Sequence, residues 1–121
     1  MTWNDYRSSP PVGTVLGHRG DLAEGTTLSL SKDTGSGAFP ILLVASGGTI
    51  RAFVNLCPHQ DLPLDAQSRE IISADGTTLL CSNHQAGFRI EDGVGVKDLG
   101  IDCALDLIPI AVDDDGSIHI V

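Results

Sequence analysis

ILLVASGGTIRAFVN, residues 41–55, places two apolar runs on either side of Gly47-Gly48. No helical periodicity runs through either arm. A glycine pair supplies the positive φ that a tight hairpin turn requires. The stretch therefore predicts an antiparallel hairpin, Ile41–Ser46 against Thr49–Asn55. The same device recurs downstream. REIIS-ADG-TTLLC turns at Asp75-Gly76, and LIPIAV-DDDG-SIHIV turns at Asp115-Gly116. Upstream, GTVLG and TTLSLS are two further strand candidates, SKDTGSGAFP reads as a loop, and residues 1–11 read as a loosely held tail that Trp3 and Tyr6 pin. Short strands separated by turn residues, with no strong helix pattern, predict one all-β domain over residues 12–121.

Charge and length narrow the class. A chain of 121 residues suffices for one domain with a core. Its net charge of −9 lacks the basic face that nucleic acid or an anionic membrane needs, so neither is an expected partner. No apolar run approaches the ~20 residues of a membrane helix. The polar opening MTWNDYRSSPPVG has no apolar signal core. Three cysteines, Cys57, Cys81 and Cys103, suit a reducing compartment better than a disulfide framework. A cytoplasmic protein, expected to be a monomer, is the reading.

The chemistry sits where strands end. NLCPHQDLPLD holds Cys57 and His59, and LLCSNHQAGF holds Cys81 and His84. Each pair opens a loop just beyond an apolar run, so rigid strands fix the loop bases while the loops converge on one object. Thiolate with imidazole suits zinc or an iron–sulfur centre. Zinc fingers usually keep their two Cys together and their two His together. One of each per loop suits instead a two-iron object, with the Cys pair on one iron and the His pair on the other, the ligation of a Rieske 2Fe–2S centre. A structural zinc module, and four unrelated loop residues, are the alternatives.

At these residues the sequence resembles the Rieske ferredoxin family, whose boxes run C-x-H-x-G and C-x-x-H-G; here they read CPHQD and CSNHQ. DLAEGTTLSL, AFVNLCPHQDLPLD, AGFRIEDG and LDLIPIAVDDDGSIHIV extend the resemblance over most of residues 12–121. The resemblance implies three small antiparallel sheets with one 2Fe–2S cluster held by two loops at one tip. It implies Cys57 and Cys81 as ligands to the inner iron, and His59 and His84 as ligands to the outer iron. Pro58, Leu62, Pro63 and Leu64 would shield the cluster from water. Asp61 and Gln85 stand where the family usually has Gly, and KDLGIDC replaces its later G-P.

The kind of Rieske protein follows from further departures. The high-potential respiratory type carries an extra Cys in each box; Leu62 and Asn83 occupy those positions, so that bridge cannot form. The same type offers Ser and Tyr hydroxyls to the cluster sulfurs, where this chain has Ala86 and Phe88. Without those hydrogen bonds the potential is expected in the lower part of the class range. Neutral imidazoles leave the oxidised cluster two charges less negative than an all-thiolate one, which raises its potential above plant-type ferredoxins. No open coordination position remains for a substrate, so the expected role is a one-electron carrier rather than an enzyme. Its expected partners are a flavin reductase and a terminal oxygenase. The alternative is a non-diffusing Rieske-like subunit of a larger oxidoreductase such as a nitrite reductase. Other suggestive residues receive plainer readings: Cys103 a small buried residue, His119 a solvent-side strand residue, His18 a loop residue, Asp113–Asp115 a solvated turn. Arg19-Gly20-Asp21 spells an adhesion tripeptide with nothing else extracellular about the chain.

Overall fold

Paired strands with alternating faces organise the chain. The computed structural model describes residues 3–35, 37–56, 63–65, 70–81, 86–98 and 104–121. Among them are ten strands, no α-helix and three antiparallel sheets. β1 (Val15–His18), β10 (Ser117–Ile120) and β9 (Ile110–Val112) form one sheet in the order β1-β10-β9. β2 (Thr26–Asp33), β3 (Ala38–Ser46), β4 (Thr49–Val54) and β8 (Leu107–Ile108) form the second, in that order. β5 (Thr78–Leu80), β6 (Ala86–Arg89) and β7 (Gly95–Asp98) form the third.

The hairpin expected at residues 41–55 is the centre of the molecule. β3 and β4 pair from Ser46↔Thr49 to Ile41↔Val54. The turn holds Gly47 at φ 65° and Gly48 at φ 76°, angles that glycine alone adopts without penalty. The Glu24 carboxylate accepts from both turn amides, at 2.8 and 2.9 Å. Both faces of this hairpin are covered. Leu42, Val44 and Phe53 point into one core, with Leu64, Ile71, Leu79, Cys81, Phe88, Ile90 and Leu105. Phe39, Ile41, Leu43, Ala45, Ala52 and Val54 point into a second core, with Leu16, Leu22, Ile108, Ile118 and Ile120. Successive strand residues face opposite sides, so odd and even positions of β3 serve different cores.

Several sequence expectations change. The run LIPIAV is two strands: Pro109, which has no N–H, separates β8 on the second sheet from β9 on the first. The loop read into SKDTGSGAFP shrinks, because β2 continues to Asp33 and β3 begins at Ala38. The first arm of the Asp75-Gly76 hairpin contributes one bridge, Ile72↔Leu79, and β5 takes β6 as its strand partner. β6 and β7 are strands that their residues alone do not announce. The expected pin of the opening segment is present: Trp3 and Tyr6 pack against the second core, Trp3–Asp5 is a 3-10 turn, and Tyr6 Oη donates to Asp106 Oδ2 at 2.5 Å. The Tyr6 ring also meets Phe39 edge-on, with centroids 5.8 Å apart. His18 has two partners: Nδ1 accepts from Gly20 N at 2.9 Å, and Nε2 lies 2.6 Å from the Asp115 carbonyl.

Candidate metal centre

The expected ligands distribute unequally. Cys81 lies among the described residues, immediately after β5; Cys57, His59 and His84 lie outside them, as do Cys103, Asp61, Leu62, Asn83 and Gln85. What the structure shows is therefore the base of each loop.

β4 supplies the first base. Val54 N donates to Asp106 O at 2.9 Å and Leu56 N to Val54 O at 2.9 Å, which turns the chain out of the sheet. Between them Asn55 is only 1% exposed, the one buried polar side chain among the described residues. Its Nδ2 donates to Asp65 Oδ1 at 3.0 Å and to Ser29 Oγ at 3.2 Å; its Oδ1 accepts from Leu64 N at 2.9 Å. Leu64, downstream of the first loop, is completely buried in the same core as Cys81. Pro63 beside it is half-buried.

β5 supplies the second base. Leu80 N donates to Ile71 O at 2.7 Å, and Leu80 pairs with Gly87 of β6. One further residue along that antiparallel register sets Cys81 opposite Ala86. Cys81 is 5% exposed, and its core companions include Leu79 and Phe88. At the far end of the sheet Asp75 tightens the turn. Its Oδ1 accepts from Ser73 Oγ at 2.6 Å and from Thr77 N at 3.1 Å, and these bonds, the Ser73 one foremost, hold its carboxyl below the usual carboxylate range.

The bases thus meet at one core: Phe53 precedes the first loop, Leu64 follows it, and Cys81 opens the second, all within one buried cluster. The donor chemistry fits an iron–sulfur group. As a ligand, the Cys81 sulfur would sit at a strand end among apolar side chains, and the metal would balance the charge of its thiolate. Among the described residues no three His, Cys, Asp or Glu side chains gather to hold a metal ion. His18 and the half-buried His119, whose Nδ1 lies 3.5 Å from Asp113 Oδ2, belong to the first sheet rather than to these loop bases. Sequence reasoning passes over Asn55 and Asp65. The available signal is an amide ending an apolar strand two residues before a candidate ligand.

The family model described as Rieske [2Fe-2S] domain matches residues 14–103. No curated protein matches the sequence. Among solved structures, the chain is similar to the ferredoxin of carbazole 1,9a-dioxygenase from Nocardioides aromaticivorans IC177, with 18% identity, a TM-score of 0.71, and coverage of 92% of this chain and 98% of that one. It is similar to a chain in a complex of reduced oxygenase and oxidized ferredoxin in carbazole 1,9a-dioxygenase, with 17% identity, a TM-score of 0.73, and coverage of 90% and 93%. It also resembles the terminal oxygenase of carbazole 1,9a-dioxygenase from Novosphingobium sp. KA1, with 18% identity and a TM-score of 0.73, over 89% of this chain and 29% of that one. At these identities the likeness concerns the fold, and it matches the three-sheet architecture described above.

Proposed function

Because the chain belongs to the Rieske 2Fe–2S domain family, and so carries a Rieske-type 2Fe–2S cluster, we propose that it is a one-electron carrier serving a terminal oxygenase and reduced by a flavin-dependent reductase. In this reading Cys57 and Cys81 hold one iron through thiolates, and His59 and His84 hold the other through neutral imidazoles. When bound, such a cluster supplies one-electron redox chemistry. The protein's own work is to hold, shield and present it. Cys81 is held at a strand end with its side chain in hydrocarbon. Leu64 seals the core beneath the first loop. β4 and β5, in different sheets, bring both loop bases to the same core.

That convergence is the observation that carries the reading. Two loops, each with one Cys and one His, share one buried foundation. The match over 98% of the length of a dioxygenase ferredoxin supports a carrier. Net charge −9 favours a partner with a basic docking face, and nucleic acid and anionic membranes are disfavoured for the same reason. No helix among the described residues is long and apolar enough to cross a membrane. We place the protein in the cytoplasm, as a monomer, with residues 12–121 as the cluster-bearing domain.

One observation favours a second reading. The same fold matches 29% of a terminal oxygenase chain, so a Rieske module can form part of a larger polypeptide. A subunit fixed to a larger oxidoreductase would copurify stoichiometrically with that enzyme, whereas a diffusing carrier would not. The decisive experiment for the centre itself is metal and sulfide analysis after expression under iron-replete conditions. Two irons and two acid-labile sulfides per chain are expected, as is a paramagnetic signal on one-electron reduction. Stoichiometric zinc without sulfide would overturn the proposal.

A further inference from the structure

Asn55 is a polar side chain where hydrocarbon would fit. Phe53 and Val54, just before it, are fully buried, and Asn55 is itself 1% exposed. An amide in such a place is costly unless its polar atoms are bonded. All of them are: both Nδ2 hydrogens have acceptors, Asp65 Oδ1 and Ser29 Oγ, and Oδ1 has the Leu64 N–H. The backbone N–H of Asn55 donates to Pro40 O at 3.1 Å. These partners have a particular placement. Asn55 stands two residues before Cys57, while Leu64 and Asp65 stand on the other side of the same loop. Ser29 belongs to β2, at the far side of β3. One side chain therefore ties the outgoing strand, the returning chain and the body of the sheet together.

We propose that Asn55 is a positioning residue for the cluster: its amide closes the loop that carries Cys57 and His59, fixing the separation of the loop's two ends. This rests on the ligand assignment made above. Tying Asn55 to Leu64 and Asp65 fixes the two chain ends between which Cys57 and His59 lie in sequence, and so governs how long the cluster is retained. Nothing in the strand pairing demands the amide. Its three side-chain bonds lie outside the β4 ladder, which ends at Val54.

The clamp has a polarity that can be reversed. Asn55→Asp keeps an acceptor for Leu64 N–H but sets a carboxylate against Asp65. Asp65→Ala removes the acceptor and leaves Asn55 in place. In the double variant Asn55→Asp with Asp65→Asn, the amide of residue 65 can donate to the carboxylate of residue 55, so the bond is rebuilt in the opposite sense. The measurement is the rate of cluster loss to a chelator, followed by visible absorbance, with visible circular dichroism for the cluster environment and far-ultraviolet circular dichroism for the fold. Each single variant is expected to lose its cluster about tenfold faster or more, the fold-change that matches about 1.4 kcal/mol, a typical buried hydrogen bond. The swap is expected to return the rate close to wild type. A merely structural role would alter the far-ultraviolet signal and unfolding midpoint in step with cluster loss, and the swap would restore neither selectively. Wild-type protein without iron and sulfide overturns the ligand assignment and the clamp with it. Wild type with a full cluster, and singles that lose it no faster, overturn the clamp alone. Should Asn55→Asp fail to fold, Asp65→Ala reads the same bond from its other end, and an unchanged rate there is equally fatal.

Discussion

Installing hydroxyls at residues 86 and 88 should raise the reduction potential. Phe88 is fully buried in the core that contains Cys81, and it pairs with Leu79 across β5 and β6. Residue 86 stands opposite Cys81 when that register is extended by one residue. Ala86→Ser and Phe88→Tyr therefore bring hydroxyls to the strand beside Cys81, a ligand in the proposed assignment. A hydrogen bond to a sulfur stabilises the extra negative charge of the reduced state more than the oxidised state. Bonds to charged groups contribute about 1.5–3 kcal/mol. At ~59 mV per 1.4 kcal/mol for one electron, each bond is expected to shift the potential upward by about 60–130 mV. The two sites differ in their side effect. Phe88 is 0% exposed, so a phenol hydroxyl introduced there that found no acceptor would cost about 1–3 kcal/mol of stability. Urea unfolding then separates a bonded hydroxyl, which leaves the midpoint near wild type, from an unbonded one, which lowers it. Protein-film voltammetry gives the potentials. A wild-type value near the top of the family range, roughly −150 to +300 mV, would refute the reasoning. So would an unshifted potential with the hydroxyl seen crystallographically against a sulfur.

Replacing Cys57 or Cys81 by Ala should abolish cluster assembly, whereas Cys103→Ser should retain full iron and sulfide; elemental analysis of all three decides the cysteine assignment. Gly93→Ala should destabilise the fold by about 1–3 kcal/mol through overpacking, because an added methyl would lie 2.9 Å from the Leu105 carbonyl oxygen and 3.1 Å from Phe53 at a backbone φ of 79°. Gly13→Ala, at φ 94° with open space around it, is the matched control, and urea midpoints should separate the two. Acid should weaken the fold below the ordinary Asp value of 3.8. Hydrogen bonds from Arg89 to Asp92 and from Ser117 to Asp115 hold both carboxyls low, so their contribution is complete above the unfolded value and is lost as pH falls through the folded one. Asp92→Asn with Asp115→Asn should flatten the dependence of the urea midpoint below about pH 4, to be compared with wild type at about 0.1 M salt.

The parts of the fold legible in the sequence are those with a local cause. Gly47-Gly48 declares its turn because two consecutive positive φ angles exclude most other residues, and the turn lies where the pair predicts it. Cys81 follows a strand as expected, because TTLL ends β5 there. What is less legible depends on partners remote in sequence. LIPIAV looks continuous, yet Pro109 cannot donate within a ladder, and the residues on either side join different sheets. AGFR and GVKD are short and carry glycines that local pattern assigns to turns; they become strands through pairing with β5 and with each other. Trp3 and Tyr6 mark the pin of the opening segment, but its partner Asp106, one hundred residues away, is not visible locally. At the centre, the loop bases are readable from strand endings. The Asn55 clamp is not, because its meaning comes from Asp65, Leu64 and Ser29 together.

Odd and even residues of β3 answer to different cores, and this fixes how the gene can change. A single-codon insertion or deletion within residues 39–45 reverses the parity of everything beyond it. It would turn Leu42 and Val44 away from the Cys81 side and send Ile41 or Leu43 there, spoiling both interiors at once. Length changes between β2 and β3, at residues 34–37, leave that parity intact. Indels along this lineage should therefore collect between the strands and be absent within them, and a library of one-residue insertions scanned across residues 30–50 should display the same boundary.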